Sequence, residues 1–175
     1  MLLKNLKIYI NRCEQRKNTK IILLTLSPDT HRTSEENLGL ADLNAVLRRA
    51  GFIVEIIDAW LEGLNENEVY EKIINDEKIG IIGISCYMSN NDKSLALAKR
   101  IRKDNQYVKL ICGGFGPSFN DEKFLQNKAF DYVMIGEGEK SIVQLCNYVL
   151  GYTNICKKDI PDIAYLEGLE VIKNR

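Results

Sequence analysis

The sequence predicts a doubly wound α/β protein in which a parallel sheet carries helices on both faces. Five short apolar runs suit buried strands, because each run is continuous instead of alternating. Stretches with apolar residues at helical spacing separate these runs, and this alternation is typical of parallel strands joined by crossover helices. Right-handed crossovers place the loops that follow the strands on one edge of the sheet. We expect the flavodoxin-like (Rossmann-like) strand order 2-1-3-4-5.

The predicted strands are the most apolar segments of the chain. The third, IGIIGISC, is apolar almost throughout, which favours a central place in the sheet. The strands are expected at residues 21–26, 52–58, 79–86, 108–112 and 132–135.

Five helices are predicted beside these strands. The first has a leucine-rich face, and Gly51 ends it. Asn65 and Glu68 form a capping pair at the start of the second helix. The other three are expected at residues 90–104, 122–127 and 139–150, and the first spans residues 38–50.

The two ends of the chain differ from this central pattern. Residues 1–18 place apolar positions at helical spacing among basic residues, which predicts an amphipathic helix. Residues 163–174 contain two short extended runs around Glu167 and Gly168, which predicts a β-hairpin. We therefore predict an N-terminal helix at residues 1–19, an α/β domain at 20–151, and a hairpin or linker at 152–175.

Composition describes an ordinary cytoplasmic domain. The 24 basic and 24 acidic residues cancel, which argues against a nucleic-acid binder driven by bulk charge. No apolar run approaches the roughly 18–20 residues that cross a bilayer, and the N-terminus lacks the features of a signal peptide. We predict neither a nucleic-acid nor a membrane partner.

The five cysteines are widely spaced. Neither a CxxC pair nor a CxxxCxxC triplet occurs, so the sequence predicts no local zinc site and no iron–sulfur cluster on this chain. Cys86, Cys112 and Cys146 fall on strand ends or an apolar helix face, where small buried side chains are expected.

Glycines follow the fourth and fifth predicted strands. The sequence CGGFGPSF continues the fourth strand, and GEGE follows the fifth. Ligands of open parallel sheets bind outside the carboxyl ends of the strands, where glycine lets a large flat group approach the backbone. These loops therefore predict a binding edge. Glu137 and Glu139 also suit the first turn of the last helix, whose dipole favours acidic residues.

The loops after the first and third strands exclude several common ligands. The first loop has no GxGxxG and no phosphate-binding run of Ser, Thr and Gly, and a receiver domain would need a carboxylate where Ser85 stands. In the segment SCYMSN, Ser89 or Asn90 would cap the next helix, and the same polar residues could bind a buried ligand tail. A nucleotide-dependent enzyme is therefore disfavoured.

Together, the segments LGL, IGIS, CGGFGPSF, DYVMIGEGE and IPDIAYLEGLEVIKN resemble the N-terminal cobalamin-binding domain of cobalamin-dependent radical SAM enzymes. The resemblance covers roughly residues 20–175. It implies that the corrin ring lies over the strand-end loops and that its nucleotide tail enters a cleft between them. The implied cofactor contacts are Leu38, Gly39, Ser85, Cys86, Tyr87, Met88, Ser89, Gly113, Gly114, Phe115, Gly116, Pro117, Gly136, Glu137, Gly138 and Glu139.

His31 is a candidate axial ligand of cobalt. Another branch of cobalamin proteins supplies this ligand from D-x-H-x-x-G, and Asp29 stands before His31 as an orienting partner. Ser34 replaces the glycine, and the radical SAM branch usually lacks the ligand. A solvated loop histidine is the alternative.

The resemblance implies a module that positions cobalamin for a radical SAM domain or subunit, most often for methyl transfer. That catalytic part, with its CxxxCxxC, is not in this sequence, so no catalytic residue is predicted on the chain. The alternative is a degenerate, non-catalytic interaction or scaffold domain of the same fold.

Overall fold

The computed structural model describes residues 19–28 and 37–174, which form one mixed sheet. The strands lie in the order β2-β1-β3-β4-β5-β6-β7. The first five strands along the chain are parallel to one another. β6 runs antiparallel to β5, and β7 runs antiparallel to β6. The strands are β1 (Lys20–Thr25), β2 (Ile53–Asp58), β3 (Ile79–Ser85), β4 (Lys109–Gly113), β5 (Tyr132–Met134), β6 (Ile163–Glu167) and β7 (Glu170–Lys173).

The flavodoxin-like class and its 2-1-3-4-5 order are therefore confirmed. The predicted hairpin also forms, but it does not stand apart from the sheet. β6 pairs with β5, so that the hairpin extends five parallel strands to seven. A short 3₁₀ helix at Lys157–Asp159 leads into β6.

Five α-helices cover the two faces of the sheet in the described part of the chain. Asn65 and Glu68 form the predicted capping box, in which each side chain accepts a hydrogen bond from the other residue's backbone N–H. Gly51 follows the first helix with φ +88°, a conformation that glycine adopts without strain. The helices are α1 (Leu38–Arg49), α2 (Glu66–Ile74), α3 (Asn91–Asp104), α4 (Phe115–Gln126) and α5 (Ile142–Val149).

Alternation along the strands divides the core between the two faces of the sheet. Ile82 and Ile84 of β3 face a layer that includes residues of α2, α3 and α4, such as Phe124. Ile81 of the same strand faces the other layer, which contains Leu40 and Leu47 of α1 and residues of α5. The site described below lies on this second face.

Two helix starts differ from their predictions. α4 begins at Phe115, seven residues before the predicted position. Pro117 lies in its first turn, where the backbone N–H has no partner within the helix, so a residue without an N–H is tolerated there. Its backbone leaves helical geometry at Asn120, so the predicted helix at 122–127 corresponds to its second half.

The last helix was predicted to start at residue 139 and instead starts at Ile142. Glu137 and Glu139 precede the first turn, which contains no acidic residue. The explanation of these glutamates by the helix dipole is therefore wrong. Gly138 forms the turn into the helix, since its carbonyl accepts hydrogen bonds from the N–H groups of Ser141 and Ile142.

The predictions for residues 1–18, including the amphipathic helix, and for Asp29 and His31 lie outside the described residues. Within residues 19–28 and 37–174, no helix is long and apolar enough to cross a membrane.

Three of the cysteines are buried, as predicted. Burial raises the pKa of Cys86 to about 12 and raises the pKa values of Cys112 and Cys146 well above the ordinary thiol value. These side chains are therefore protonated, apolar parts of the core. Cys156 is exposed.

Candidate functional site

A cleft of about 390 Å³ opens at the carboxyl edge of the parallel strands and runs between the sheet and α1. Its inner wall comes from β1, β3, β4 and β5, and its outer wall comes from α1 and the first residue of α5. This is the edge at which the glycine-rich loops were expected to form a binding site. The size lies within the range of small-molecule sites.

Gly83 makes room at the centre of the inner wall. The strand register places it between Leu23 of β1 and Ile111 of β4, in a row across the sheet. A β-carbon on Gly83 would lie 3.0 Å from Cδ2 of Leu23, which is tighter than ordinary contact. A larger side chain here would extend into the cleft between its two neighbours.

Gly138 leaves the outer part of the cleft open, because it has no side chain where the GEGE loop passes between the two walls. A β-carbon at this position would lie 3.1 Å from Cδ2 of Leu43 and 3.4 Å from Cε of Met134. Since Leu43 belongs to α1 and Met134 to β5, the GEGE loop passes close to both walls. Glycine is the residue that permits this approach.

Gly114 and Gly116 serve a different purpose, because they let the β4 loop pack against the β3 loop. Gly114 has φ +97°, and a β-carbon would lie 2.8 Å from the carbonyl oxygen of Cys86. A β-carbon on Gly116 would lie 2.0 Å from Oδ1 of Asn91. The Gly116 N–H donates to the Cys86 carbonyl. These two glycines are therefore required by the protein's own packing.

Asn37 and Ser85 form a polar pair inside the cleft. Asn37 caps α1, as its Oδ1 accepts from the Leu40 N–H at 3.1 Å, and its Nδ2 donates to Oγ of Ser85 at 3.4 Å. The Ser85 carbonyl accepts from the hydroxyl of Thr25 at 3.3 Å. Asn37 and Ser85 both line the cleft. The end of β3 is thus joined to the start of α1.

Asn90 connects the loops at the mouth. Its side chain accepts from the Tyr87 N–H at 2.8 Å and donates to the Leu26 carbonyl at 2.8 Å. It occupies the N-cap position of α3 without capping that helix through its side chain. Asn90, one of the two predicted cap residues, is therefore the N-cap, but its side chain holds the loops after β1 and β3 together instead of bonding the helix N-terminus.

Exposed apolar side chains surround the mouth. Leu38, Met88, Phe115 and Phe119 are 69%, 71%, 67% and 73% exposed, respectively. The rings of Phe115 and Phe119 pack against each other in a tilted arrangement, with a centroid distance of 5.7 Å and an interplanar angle of 38°. Single exposed apolar residues are ordinary, but a group at the mouth of an apolar cleft indicates a surface that a ligand or partner covers.

The GEGE loop brings two carboxylates to the rim. Gly136 has φ +71° and open space around its β-carbon position, and its N–H donates to the Ser118 hydroxyl at 3.3 Å. No ion pair involves Glu137 or Glu139 within the described residues. These carboxylates can accept hydrogen bonds from amide groups of a ligand, and they disfavour a phosphate at this loop.

The structure brings most of the predicted contact residues to one cleft. Those that line it are Gly39, Ser85, Tyr87, Gly113, Gly114, Phe115, Gly136, Glu137, Gly138 and Glu139. Six others lie outside the lining. Of these, Leu38 and Met88 are exposed beside the mouth, Cys86 is buried in the opposite core, and Ser89, Gly116 and Pro117 belong to the loops or to α4.

Much of the cleft wall is formed by residues that were not predicted from the sequence. Leu23, Gly83 and Ile111 were interpreted only as strand interior, although the glycine between isoleucines in IGIIGIS was a signal for a gap. Asn37 stands before the first apolar residue of α1, which is the signal of an N-cap. The other missed residues are Leu40, Leu43, Ile84, Cys112, Ser118, Phe119, Met134 and Ile142.

Comparison with known proteins gives a family match. A family model described as a B12 binding domain matches residues 20–146. No curated protein sequence matches the chain.

Solved structures show the same fold. The cobalamin-dependent S-adenosylmethionine radical enzyme OxsB, with aqua-cobalamin and S-adenosylmethionine bound, is 21% identical, with a TM-score of 0.80 over 92% of this chain and 22% of that one. The radical S-adenosylmethionine methyltransferase TsrM from Kitasatospora setae, with cobalamin and a [4Fe-4S] cluster bound, is 15% identical, with a TM-score of 0.75 over 89% of this chain and 30% of that one.

The chain thus spans less than a third of the length of these two enzymes. A response regulator from Thermotoga maritima is also similar, with 17% identity and a TM-score of 0.54 over 76% of this chain and 98% of that one. At these identities the structures show the fold, which several functions share.

Proposed function

The chain belongs to the family of B12 binding domains, and we propose that it binds cobalamin in the cleft between the sheet and α1. The corrin ring would lie over the exposed apolar residues at the mouth, and the nucleotide tail would enter the cleft. The observation that carries this proposal is the row of Leu23, Gly83 and Ile111, where the missing side chain opens an apolar slot behind the strand ends.

The residues present fit this cofactor. A corrin is a large flat ring with amide side chains, and the rim offers apolar surface at Phe115 and acceptors at Glu137 and Glu139. Gly138 leaves the entrance open where a β-carbon would meet both walls. Ser85 and Asn37 offer polar contacts to the part of the tail that passes the strand ends.

When bound, a cobalamin supplies a cobalt atom that can accept and donate a methyl group. The described residues of this chain would bind and orient the ring, and no step of the chemistry is assigned to them. A radical SAM domain or subunit would act on the exposed face of the ring, most often in methyl transfer. This part of the proposal is supported by the fold shared with OxsB and TsrM.

Retention of the cofactor tests the proposal. Purified protein is incubated with hydroxocobalamin, desalted, and examined for corrinoid absorption. We expect about one equivalent to be retained, and a colourless protein would refute cobalamin binding. In that case the apolar mouth would favour the alternative, a scaffold domain whose partner covers this surface.

His31 remains a candidate axial ligand, with Asp29 as its orienting partner. The spectrum of bound cobalamin reports the ligands of cobalt, so His31→Ala is compared with the wild type at equal occupancy. A changed spectrum would support ligation, and an unchanged spectrum would remove His31 from the site.

A radical SAM partner can be tested by reconstitution. The chain is loaded with methylcobalamin and mixed with a candidate protein that contains CxxxCxxC and is encoded beside it. We expect a complex by size-exclusion chromatography that weakens when Phe119 is replaced by aspartate. A complex that tolerates this charge would show that the partner does not cover the mouth.

A further inference from the structure

α4 is broken between the part that lines the cleft and the part that packs in the core. Phe115, Ser118 and Phe119 of its first half line the cleft. Phe124 of its second half is buried in the core on the opposite face of the sheet. Asn120 lies between the halves with φ −138° and ψ 37°, which is outside helical geometry. The angle between the two halves is therefore not fixed by a continuous helix.

Asp121 directly follows this break and carries a buried charge. The residue is only 6% exposed. Its Oδ1 accepts a hydrogen bond from Nζ of Lys173 at 3.0 Å, and its Oδ2 also lies 3.0 Å from that nitrogen. Within the described residues Oδ2 makes no hydrogen bond, and Lys173 is the one ion-pair partner of this carboxylate. Since a buried carboxylate is costly without a partner, Asp121 is held where Lys173 reaches it.

Lys173 comes from β7, the last strand of the sheet. It pairs with Ala164 of β6 in the hairpin. Strand alternation places its side chain on the same face as that of Val171, which packs against the core layer that contains Phe124. The ammonium thus reaches α4 from the edge of the sheet, 52 residues away along the chain. The ion pair joins the hairpin to the break in α4.

The first half of α4 is anchored separately at its start. The Gly116 N–H donates to the Cys86 carbonyl at 3.1 Å, and the Ser118 hydroxyl accepts from an N–H of the GEGE loop at 3.3 Å. From this start, the direction of the half-helix depends on where the break is held. Phe119 is one residue before the break and 73% exposed at the mouth. Its ring therefore follows the position of Asp121.

We propose that Lys173 is a positioning residue for cobalamin binding, because through Asp121 it sets the direction of the first half of α4 and the place of Phe119 at the mouth. This inference rests on the proposed cobalamin binding. Apolar or neutral replacements of a buried ion pair often cost no stability, so the fold alone does not require the charges. Without the pair, only a fraction of molecules would hold the mouth ready, and the apparent affinity falls by that fraction.

Dissociation constants for hydroxocobalamin, measured by absorption titration, test this role in four variants. Lys173→Met removes the ammonium and keeps most of the stem, whereas Asp121→Asn removes the buried charge. Each should raise the dissociation constant by about 2- to 30-fold, the range for residues that act at a distance. The double variant should lose no more than either single variant, because both act through one pair. Lys173→Arg keeps the charge and should bind close to the wild type.

Two comparisons separate positioning from support of the fold. Lys157→Met is the matched control, because Nζ of Lys157 lies 3.4 Å from a carboxylate oxygen of Glu167 in β6. It removes a lysine–carboxylate pair from the hairpin without touching α4, and it should bind as the wild type does. Chemical unfolding of the unliganded proteins is the second comparison. The double variant leaves no buried charge unpaired, so it should unfold near the wild-type denaturant concentration while its affinity stays reduced.

Four results would overturn the inference, and they differ in what else they remove. Wild-type affinity in both single variants would make the pair purely structural and leave cobalamin binding intact. Additive losses in the double variant would show that Lys173 and Asp121 act separately. An equal loss in Lys157→Met would assign the effect to the hairpin as a whole. Failure of the wild type to retain hydroxocobalamin would refute the proposed function as well.

Discussion

Gly83 offers a direct test of how deep the cofactor enters. Replacing it by valine adds a β-carbon 3.0 Å from Cδ2 of Leu23 and two methyl groups directed between Leu23 and Ile111. Overpacking of this kind costs about 1–3 kcal/mol when the opposing group cannot move away. With a cofactor tail in the slot, this cost corresponds to a rise in dissociation constant of about 5- to 150-fold.

The unliganded protein should respond differently. Only the flexible end of Leu23 lies close to the new β-carbon, and a β-branched residue suits a central strand better than glycine does. We therefore expect the free energy of unfolding of the unliganded protein to change by less than about 1 kcal/mol. Gly83→Ala should give an intermediate loss of affinity, so the series separates filling of the slot from damage to the fold.

The assay is a titration with hydroxocobalamin followed by absorption, together with chemical unfolding of each unliganded variant. Leu169→Val is the matched control, because Leu169 lies in the hairpin turn and is 88% exposed. It should bind as the wild type does. If Gly83→Val also binds with wild-type affinity, the inserted group does not reach β3, and the slot is not the tail site.

Three further outcomes follow from the structure. Gly114→Ala should lower the free energy of unfolding of the unliganded protein by about 1–3 kcal/mol more than Gly136→Ala does. Both glycines have positive φ, but only Gly114 faces a backbone atom, and equal unfolding curves would contradict this. Peptide-resolved alkylation should modify Cys156 before the three buried thiols, whose pKa values are raised by burial, and early labelling of any of them would count against a closed core. The pKa of Asp76 is lowered from 3.8, first by the hydrogen bond from Lys20 and then by the bond from the Lys78 backbone N–H. The ionised carboxylate therefore stabilises the folded protein above pH 3.8, and this contribution is lost as the pH falls below that value. The carboxylate is partly exposed, so the loss should be under about 1 kcal/mol, and Asp76→Asn should abolish it in acid unfolding curves.

Elements whose signal is local were predictable from the sequence. The capping box of Asn65 and Glu68 and the glycine after α1 depend on a few neighbouring residues, and both are present in the structure. The strand order cannot be read from the residues directly, and it was expected because 2-1-3-4-5 is a common order for doubly wound sheets. The pairing of β6 with β5 could not be predicted, because a hairpin sequence does not indicate which edge of which sheet it meets.

The candidate site was predictable at its mouth and not along its wall. The glycines of CGGFGPSF and GEGE were visible as loop signals, and their loops do meet at one edge. Which glycine faces the cleft depends on tertiary packing. Gly114 faces the Cys86 carbonyl, whereas Gly83, within a strand, faces the slot. The start of α4 was missed because proline and glycine also suit a helix's first turn.

The hairpin that completes the sheet also bears on local stability. β7 lies at the outer edge and is bonded on one side only, to β6, which in turn depends on the three residues of β5 for its place. β3 has parallel neighbours on both sides and a core on both faces. Opening of the hairpin should therefore precede global unfolding. Hydrogen exchange should find the amides of β7 exchanging much faster than those of β3, and equal rates would show that the seven strands open as one unit.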